Sequence, residues 1–142
     1  MIVYVDSSFL VSVYVRDAHS TEVVRRLWAK PRVCLTPFNR SELANAIFRQ
    51  AFLGRLPLAD SRLAWNSFES DFRAGIWESG SFPSQSWEAC IDLARRYGPT
   101  LGLRTLDSLH VACALELRAD RFWTFDERQA KLAEAVGLDT SA

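Results

Sequence analysis

The chain has 142 residues, of which 49% are hydrophobic and 24% charged. These values are typical of a soluble globular protein, so we expect one domain over residues 1–142 that needs no disulfide or metal to fold. No apolar run approaches the roughly 18 residues of a membrane span, and Asp6 stands where a signal peptide would be apolar. The three cysteines lack C-x-x-C spacing, which favours a reducing, cytoplasmic compartment.

The net charge is zero, with 17 basic and 17 acidic residues, so no overall field draws the protein toward nucleic acid. All the basic residues except Lys30 and Lys131 are arginines, whose planar guanidinium suits phosphate oxygens. A GC-rich genome produces the same bias without any function, so charge alone decides nothing.

Short apolar segments that alternate with helical periodicity predict a three-layer α/β fold with a parallel sheet of about four to five strands. The predicted strands are residues 2–5, 32–36, 76–78 and 121–124, with Leu138 beginning a short final strand. The predicted helices cover about residues 9–14, 19–29, 37–53, 57–73, 84–97, 105–118 and 127–136. We expect Gly98-Pro99 to end the fifth helix. Aromatic residues on the third and fourth helices predict either core packing or an interface: Phe48, Phe52, Trp65, Phe68 and Phe72.

Four acidic residues are predicted at the end of the sheet where open parallel sheets bind ligands. Asp6 directly follows the first strand, and Asp126 follows the last long one. Glu42 and Asp107 lie in the first turns of two helices. Each acid also suits a helix start: Asp6 and Asp126 as N-caps, Asp107 through the helix dipole, and Glu42 in a capping box with Asn39.

Capping does not explain why all four acids are predicted at the same edge of the sheet. Carboxylates grouped there would repel one another, and a bound cation would relieve that repulsion. Hard oxygen ligands without a His–Cys set favour Mg²⁺ or Mn²⁺, and Mg²⁺ sites are often completed by phosphate oxygens. The pattern therefore predicts a metal site that acts on a phosphodiester. No phosphate-binding glycine motif is present. A triad of Ser8, His110 and Asp107 is disfavoured because His110 lies one helical turn from Asp107.

Four short motifs, in order and spanning residues 1 to about 138, resemble the PIN domain family and especially the small VapC toxins of bacterial toxin–antitoxin pairs. They are an apolar strand followed by Asp6 and Ser8, then Ser41-Glu42-Leu43, then Asp107-Ser108-Leu109-His110-Val111-Ala112, and finally Thr124-Phe125-Asp126. The resemblance implies a three-layer α/β/α fold and a metal-dependent endoribonuclease with an acidic pocket for Mg²⁺ or Mn²⁺.

By matching position, the catalytic and metal-binding residues would be Asp6, Glu42, Asp107 and Asp126. Ser8 and Thr124 would line the pocket, as would His110, which either orients Asp107, packs beneath the pocket or assists a leaving group. Basic residues beside these motifs are candidates for phosphate contacts with RNA: Arg40, Arg104 and Arg128.

The resemblance also implies an RNA substrate, a homodimer and a small VapB-type antitoxin, with DNA contacted only through that antitoxin and no membrane. Two alternatives stay open. One is a PIN-fold binding module that acts mainly in a repressor complex, with negligible catalysis. The other is a PIN ribonuclease that processes RNA outside any toxin pair.

Overall fold

The computed structural model describes all 142 residues and contains four strands and seven helices. The strands are β1 (Ile2–Val5), β2 (Arg32–Leu35), β3 (Glu78–Ser79) and β4 (Arg121–Trp123). The helices are α1 (Ser7–Tyr14), α2 (Ser20–Leu27), α3 (Pro37–Phe52), α4 (Leu58–Arg73), α5 (Ser86–Leu101), α6 (Thr105–Glu116) and α7 (Glu127–Ala135). The alternation of helices with parallel strands confirms the predicted α/β class. A helix with the length and apolarity of a membrane span is absent.

The chain forms two compact units. The first unit, Met1–Asp6 with Phe82–Ala142, contains β1, β4 and the last three helices. Its two strands pair in parallel with Val3 opposite Arg121 and Val5 opposite Trp123. All of these strand residues except Ile2 and Arg121 are buried, as expected of apolar strands covered on both faces.

The second unit, Ser7–Ser81, contains β2, β3 and the first four helices. Cys34 pairs in parallel with Glu78, and the Gly80 amide donates to the Leu35 carbonyl at 3.0 Å. A Cβ atom on Gly80 would collide with the sulfur of Cys34, so the close approach of these two segments requires glycine there.

Aromatic residues of the second unit divide between its core and its surface. Phe68 is completely buried and packs against the rings of Trp65, Phe72 and Tyr14. Phe52, at the end of α3, is 87% exposed. Core packing is therefore confirmed for Phe68, while Trp65 and Phe72 are half-buried. Phe48 and Phe52 are exposed and do not belong to the core.

The start of α3 differs from the predicted capping box. Asn39 rather than Glu42 completes the box, because its side-chain oxygen accepts from the Thr36 amide at 2.9 Å and from the Thr36 hydroxyl at 2.8 Å. Pro37 occupies the first helical position, where its missing N–H costs no hydrogen bond. Glu42 therefore lies beyond the cap and is not needed to begin the helix.

The predicted end of α5 at Gly98-Pro99 is wrong. The helix continues through Pro99 to Leu101 and ends at Gly102, whose left-handed φ of 62° suits glycine. The Gly102 amide donates to the Gly98 carbonyl at 2.9 Å, which closes the last turn. Pro99 has no N–H to donate to the Arg95 carbonyl, and both residues are exposed, so this carbonyl is open to solvent.

Two short strands also differ from prediction. The third strand begins at Glu78 rather than Ile76, and the buried ring of Trp77 instead donates to the Tyr14 hydroxyl. The final strand predicted at Leu138 is reduced to one bridge between Arg121 and Asp139. Segments this short are set by neighbouring contacts rather than by their own periodicity.

Candidate active site

Asp6 directly follows β1 and is only 1% exposed. Its Oδ2 atom accepts a hydrogen bond of 2.6 Å from the hydroxyl of Thr124, which directly follows β4. Because β1 and β4 are parallel neighbours, the residues after them meet at the same edge. The Thr124 oxygen also accepts from the Asp126 amide at 2.9 Å, so one hydroxyl links both predicted acids.

Asp107 lies in the first turn of α6 and is likewise 1% exposed. Its Oδ2 accepts from the backbone amide of Arg104 at 3.0 Å, which is part of a capping box at the helix start. Its Oδ1 faces the side-chain amide of Gln129 at 3.5 Å. The Asp107 carboxylate therefore both caps α6 and lies at the candidate site.

Asp126 caps α7, as the sequence predicts, by accepting from the Gln129 amide at 3.0 Å. Its side chain is 29% exposed, so Asp126 is more accessible than Asp6 and Asp107, the other two predicted site acids of the first unit. The cap holds Oδ1 of Asp126. Its Oδ2 is left on the open side, where Arg104 approaches it.

Arg104 contacts two of the predicted acids at once. Its Nε lies 3.4 Å from Oδ2 of Asp107, and its Nη2 lies 3.6 Å from Oδ2 of Asp126. The Arg104 side chain is 67% exposed, so these ion pairs are screened by water and weak. A cation therefore neutralises part of the acidic cluster, but the cation is a mobile side chain of the protein itself.

Gln129 was not among the residues predicted from the sequence. It is buried, and its side-chain oxygen has no hydrogen-bond partner although its amide nitrogen faces Asp107. The sequence signal for it is its position three residues after the Asp126 cap, which brings its side chain back over the first turn of α7. A buried oxygen without a partner is uncommon in a folded protein, and such groups occur where a water or an ion binds.

His110 is completely buried. Its Nδ1 lies 2.8 Å from the Tyr4 hydroxyl, and the two rings meet edge to face. The wholly buried α6 face carries the imidazole into the interior, one turn beyond Asp107. The predicted roles of His110 at the pocket, in orienting Asp107, in packing beneath the pocket or in assisting a leaving group, stay predictions.

Three predicted residues belong to the second unit. Glu42 is half-buried in the second turn of α3. Ser8 is half-buried in the first turn of α1, and its carbonyl accepts from the Ser12 hydroxyl at 3.2 Å. The guanidinium of Arg40 lies over the Phe72 ring, 4.4 Å from its centre. That contact holds Arg40 by a cation–π interaction, and its assignment to RNA stays a prediction.

A polar cleft of about 470 Å³ opens beside Asp126. Its walls come from the end of α5, the start of α6 and the first turns of α7: Thr100, Leu101, Arg104, Asp126, Glu127, Arg128 and Lys131. Two predicted RNA-contacting residues, Arg104 and Arg128, therefore share one cleft with a predicted catalytic acid. Lys131 lines the same cleft, although no sequence motif selects it.

The donor set of the first unit suits a hard divalent cation, since Asp6, Asp107 and Asp126 offer only oxygen and Gln129 adds an unpaired oxygen. No group of three or more His, Cys, Asp or Glu side chains is assembled for a metal in this structure. In the first unit, Thr124 and Arg104 contact the predicted carboxylates. The residues fit Mg²⁺ or Mn²⁺ in chemistry, and binding would require Arg104 to move.

Fold and site together define an α/β protein with one buried acid after a parallel strand, a second at the start of a helix and a partly exposed third acid after the neighbouring strand. The chain belongs to the PIN domain family, whose sequence model matches residues 3–135. No match was found among curated proteins.

Three solved structures share the fold. VapC20 of Mycobacterium tuberculosis, described as a sarcin-ricin loop cleaving toxin, is 17% identical with a TM-score of 0.69 over 98% of each chain. VapBC2 of Rickettsia felis, bound to a fragment of its promoter DNA, is 14% identical with a TM-score of 0.67 over 99% of this chain and 98% of that one. PAE2754 of Pyrobaculum aerophilum is 18% identical with a TM-score of 0.59 over 93% of this chain and 79% of that one.

Proposed function

We propose that this protein is a metal-dependent endoribonuclease, the VapC-type toxin of a type II toxin–antitoxin pair, that hydrolyses RNA phosphodiester bonds. The observation that carries the proposal is the burial of Asp6 and Asp107, each 1% exposed within a PIN fold. A buried carboxylate costs free energy unless hydrogen bonds and a cation compensate. Such a cost is typical of functional sites, where charge is held ready for chemistry.

The proposed ligands of Mg²⁺ or Mn²⁺ are Asp6, Asp107, Asp126 and Glu42. When bound, the ion supplies an activated water for in-line attack and neutralises charge on the phosphate. Thr124 holds the Asp6 carboxylate in one orientation by donating to it at 2.6 Å. The backbone amide of Arg104 does the same for Asp107 at 3.0 Å. This preorganisation is the part of catalysis that the chain's own residues supply.

The proposed partners are an RNA substrate, a second copy of the chain and a VapB-type antitoxin in the cytoplasm. The fold shared with the Rickettsia felis VapBC2 complex, which is bound to promoter DNA, supports the antitoxin and an indirect contact with DNA. Arg40, Arg104 and Arg128 are proposed to contact RNA phosphates, and Ser8 is proposed to line the pocket.

The competing proposal is a PIN-fold binding module with negligible catalysis in a repressor complex. All four predicted acids are present, which favours the nuclease over this module. The remaining alternative is a ribonuclease of RNA processing outside any toxin pair. A neighbouring gene for a small antitoxin supports the toxin, and its absence favours RNA processing.

Cleavage of a mixed cellular RNA pool by the purified, antitoxin-free protein tests the proposal. The reaction is run with EDTA, with Mg²⁺ and with Mn²⁺, beside the double variant Asp6→Asn with Asp107→Asn. Asp60→Asn, the same change at an exposed position on α4, is the matched control. Metal-dependent cutting by the wild type and the control, but not by the double variant, supports a nuclease. Absence of cutting with every metal favours the binding module.

A further inference from the structure

The cleft beside Asp126 carries an excess of positive charge in a protein whose net charge is zero. Three cations line it, Arg104, Arg128 and Lys131, against the two acids Asp126 and Glu127. Asp126 is already satisfied by the cap of α7 and by Arg104. The remaining charge in the cleft is therefore positive, and it lies beside Asp126, one of the proposed catalytic acids.

Arg128 and Lys131 are three residues apart on α7, so their side chains leave the helix on the same face. Both are exposed and neither makes an ion pair with an acidic residue. Arg128 presents a planar set of donors, whereas Lys131 presents a compact point charge. Two unpaired cations that line one concave surface attract an anion with at least two negative oxygens.

We propose that this cleft binds a backbone phosphate of single-stranded RNA next to the phosphate that is cut, with Arg128 and Lys131 as its ligands. The proposal rests on the proposed nuclease function, because it places this phosphate beside Asp126. A cleft of about 470 Å³ has room for a phosphate and its flanking sugars. Contacts of this kind fix the register of a nucleic acid without reading its sequence.

The test is equilibrium binding of a short, unstructured, fluorescently labelled oligoribonucleotide in EDTA, where metal-dependent cutting is prevented. The double variant Arg128→Gln with Lys131→Gln is compared with the wild type across a series of salt concentrations. We expect the dissociation constant to rise about tenfold or more. The slope of log affinity against log salt concentration should also become shallower by about 0.7 for each phosphate contact that is lost.

The matched control is Arg95→Gln with Arg62→Gln, two exposed arginines outside the cleft. It removes the same net charge, so it corrects for long-range attraction. Thermal melting of both variants checks that they fold. An equal loss of affinity in the cleft and control variants, or none in either, overturns the proposal.

Failure of this proposal is distinguishable from failure of the nuclease. If the wild type cuts RNA with metal and the cleft variant binds and cuts equally well, only the cleft proposal falls. Polyglutamate added as a competitor tests the other class of ligand, an acidic protein segment. Binding of polyglutamate as tight as that of RNA, with the same dependence on Arg128 and Lys131, overturns the assignment to RNA.

Discussion

The hydroxyl of Thr124 donates to the carboxylate of Asp6 across 2.6 Å, although the two residues are 118 positions apart in the chain. Each directly follows one of two parallel neighbouring strands, so the strand pairing itself brings them together. The same oxygen accepts from the Asp126 amide, which fixes its orientation. Thr124 is therefore a positioning residue for an acid that is almost wholly buried.

Replacing Thr124 with Val keeps the shape of the side chain but leaves Asp6 and the Asp126 amide without this partner. We expect the free energy of unfolding to fall by about 1–3 kcal/mol, the cost of unsatisfied buried polar groups. Affinity for Mn²⁺, measured by calorimetric titration, should fall as well. Thr124→Ser retains the hydroxyl and is expected to restore most of both quantities. Equal metal affinity in the Val and Ser variants would contradict the positioning role.

Sequence patterns were sufficient where a feature depends on local periodicity or on the direction of a strand. The buried run of β1 and the acids after β1 and β4 follow from such patterns. Sequence patterns were insufficient where the local structure depends on whether a segment is exposed to solvent. Pro99 is tolerated inside α5 because its turn faces water, which the order of residues does not reveal.

Contacts within the site were harder to predict for a related reason. The double contact of Arg104 with Asp107 and Asp126 depends on the placement of α6 beside α7 and on one side-chain rotamer. The burial of His110 depends on how α6 is covered, and eight consecutive residues of that helix, Asp107 to Ala114, are buried on all faces. Such a helix has no apolar stripe to indicate its orientation.

Arg104 is expected to compete with a divalent cation for Asp107 and Asp126. Removing its charge with Arg104→Gln leaves the backbone cap on Asp107 intact, since that bond comes from the main chain. We therefore expect affinity for Mn²⁺ in the absence of RNA to rise severalfold, by calorimetric titration. Arg128→Gln removes a charge from the same cleft without touching either acid and should change the metal affinity less. A lower affinity in Arg104→Gln would indicate that the guanidinium orients the acids instead.

Mg²⁺ or Mn²⁺ should raise the melting temperature, because a ligand that binds only the folded state stabilises it by mass action. At a metal concentration of 100 times the dissociation constant, the gain is about 2.7 kcal/mol. Asp6→Asn should abolish the rise while the metal-free protein still unfolds cooperatively. A melting curve that millimolar metal leaves unchanged would count against the proposed site. Loss of folding in Asp6→Asn would show that the carboxylate serves mainly as structure.

A partly buried hydrogen-bond network in the second unit offers a test of stability. The Tyr14 hydroxyl donates to Oδ2 of Asp71 at 2.7 Å and accepts from the indole of Trp77 at 2.7 Å. It joins α1, α4 and the segment before β3. Burial, followed by the bond to Asp71, raises the pKa of Tyr14 well above its ordinary value of 10.0. The neutral phenol is thus the form that the folded state stabilises.

This raised pKa fixes the direction of a pH effect. Stability contributed by Tyr14 is fully present below the pKa of an unfolded tyrosine, about 10, and is lost progressively as the pH rises above it. Tyr14→Phe should lower the free energy of unfolding by about 2 kcal/mol at neutral pH, because the bond to a carboxylate is lost. The variant should also lose less stability than the wild type between pH 9 and pH 11. Urea unfolding at several pH values measures both effects, and parallel pH curves for the two proteins would contradict the assignment to Tyr14.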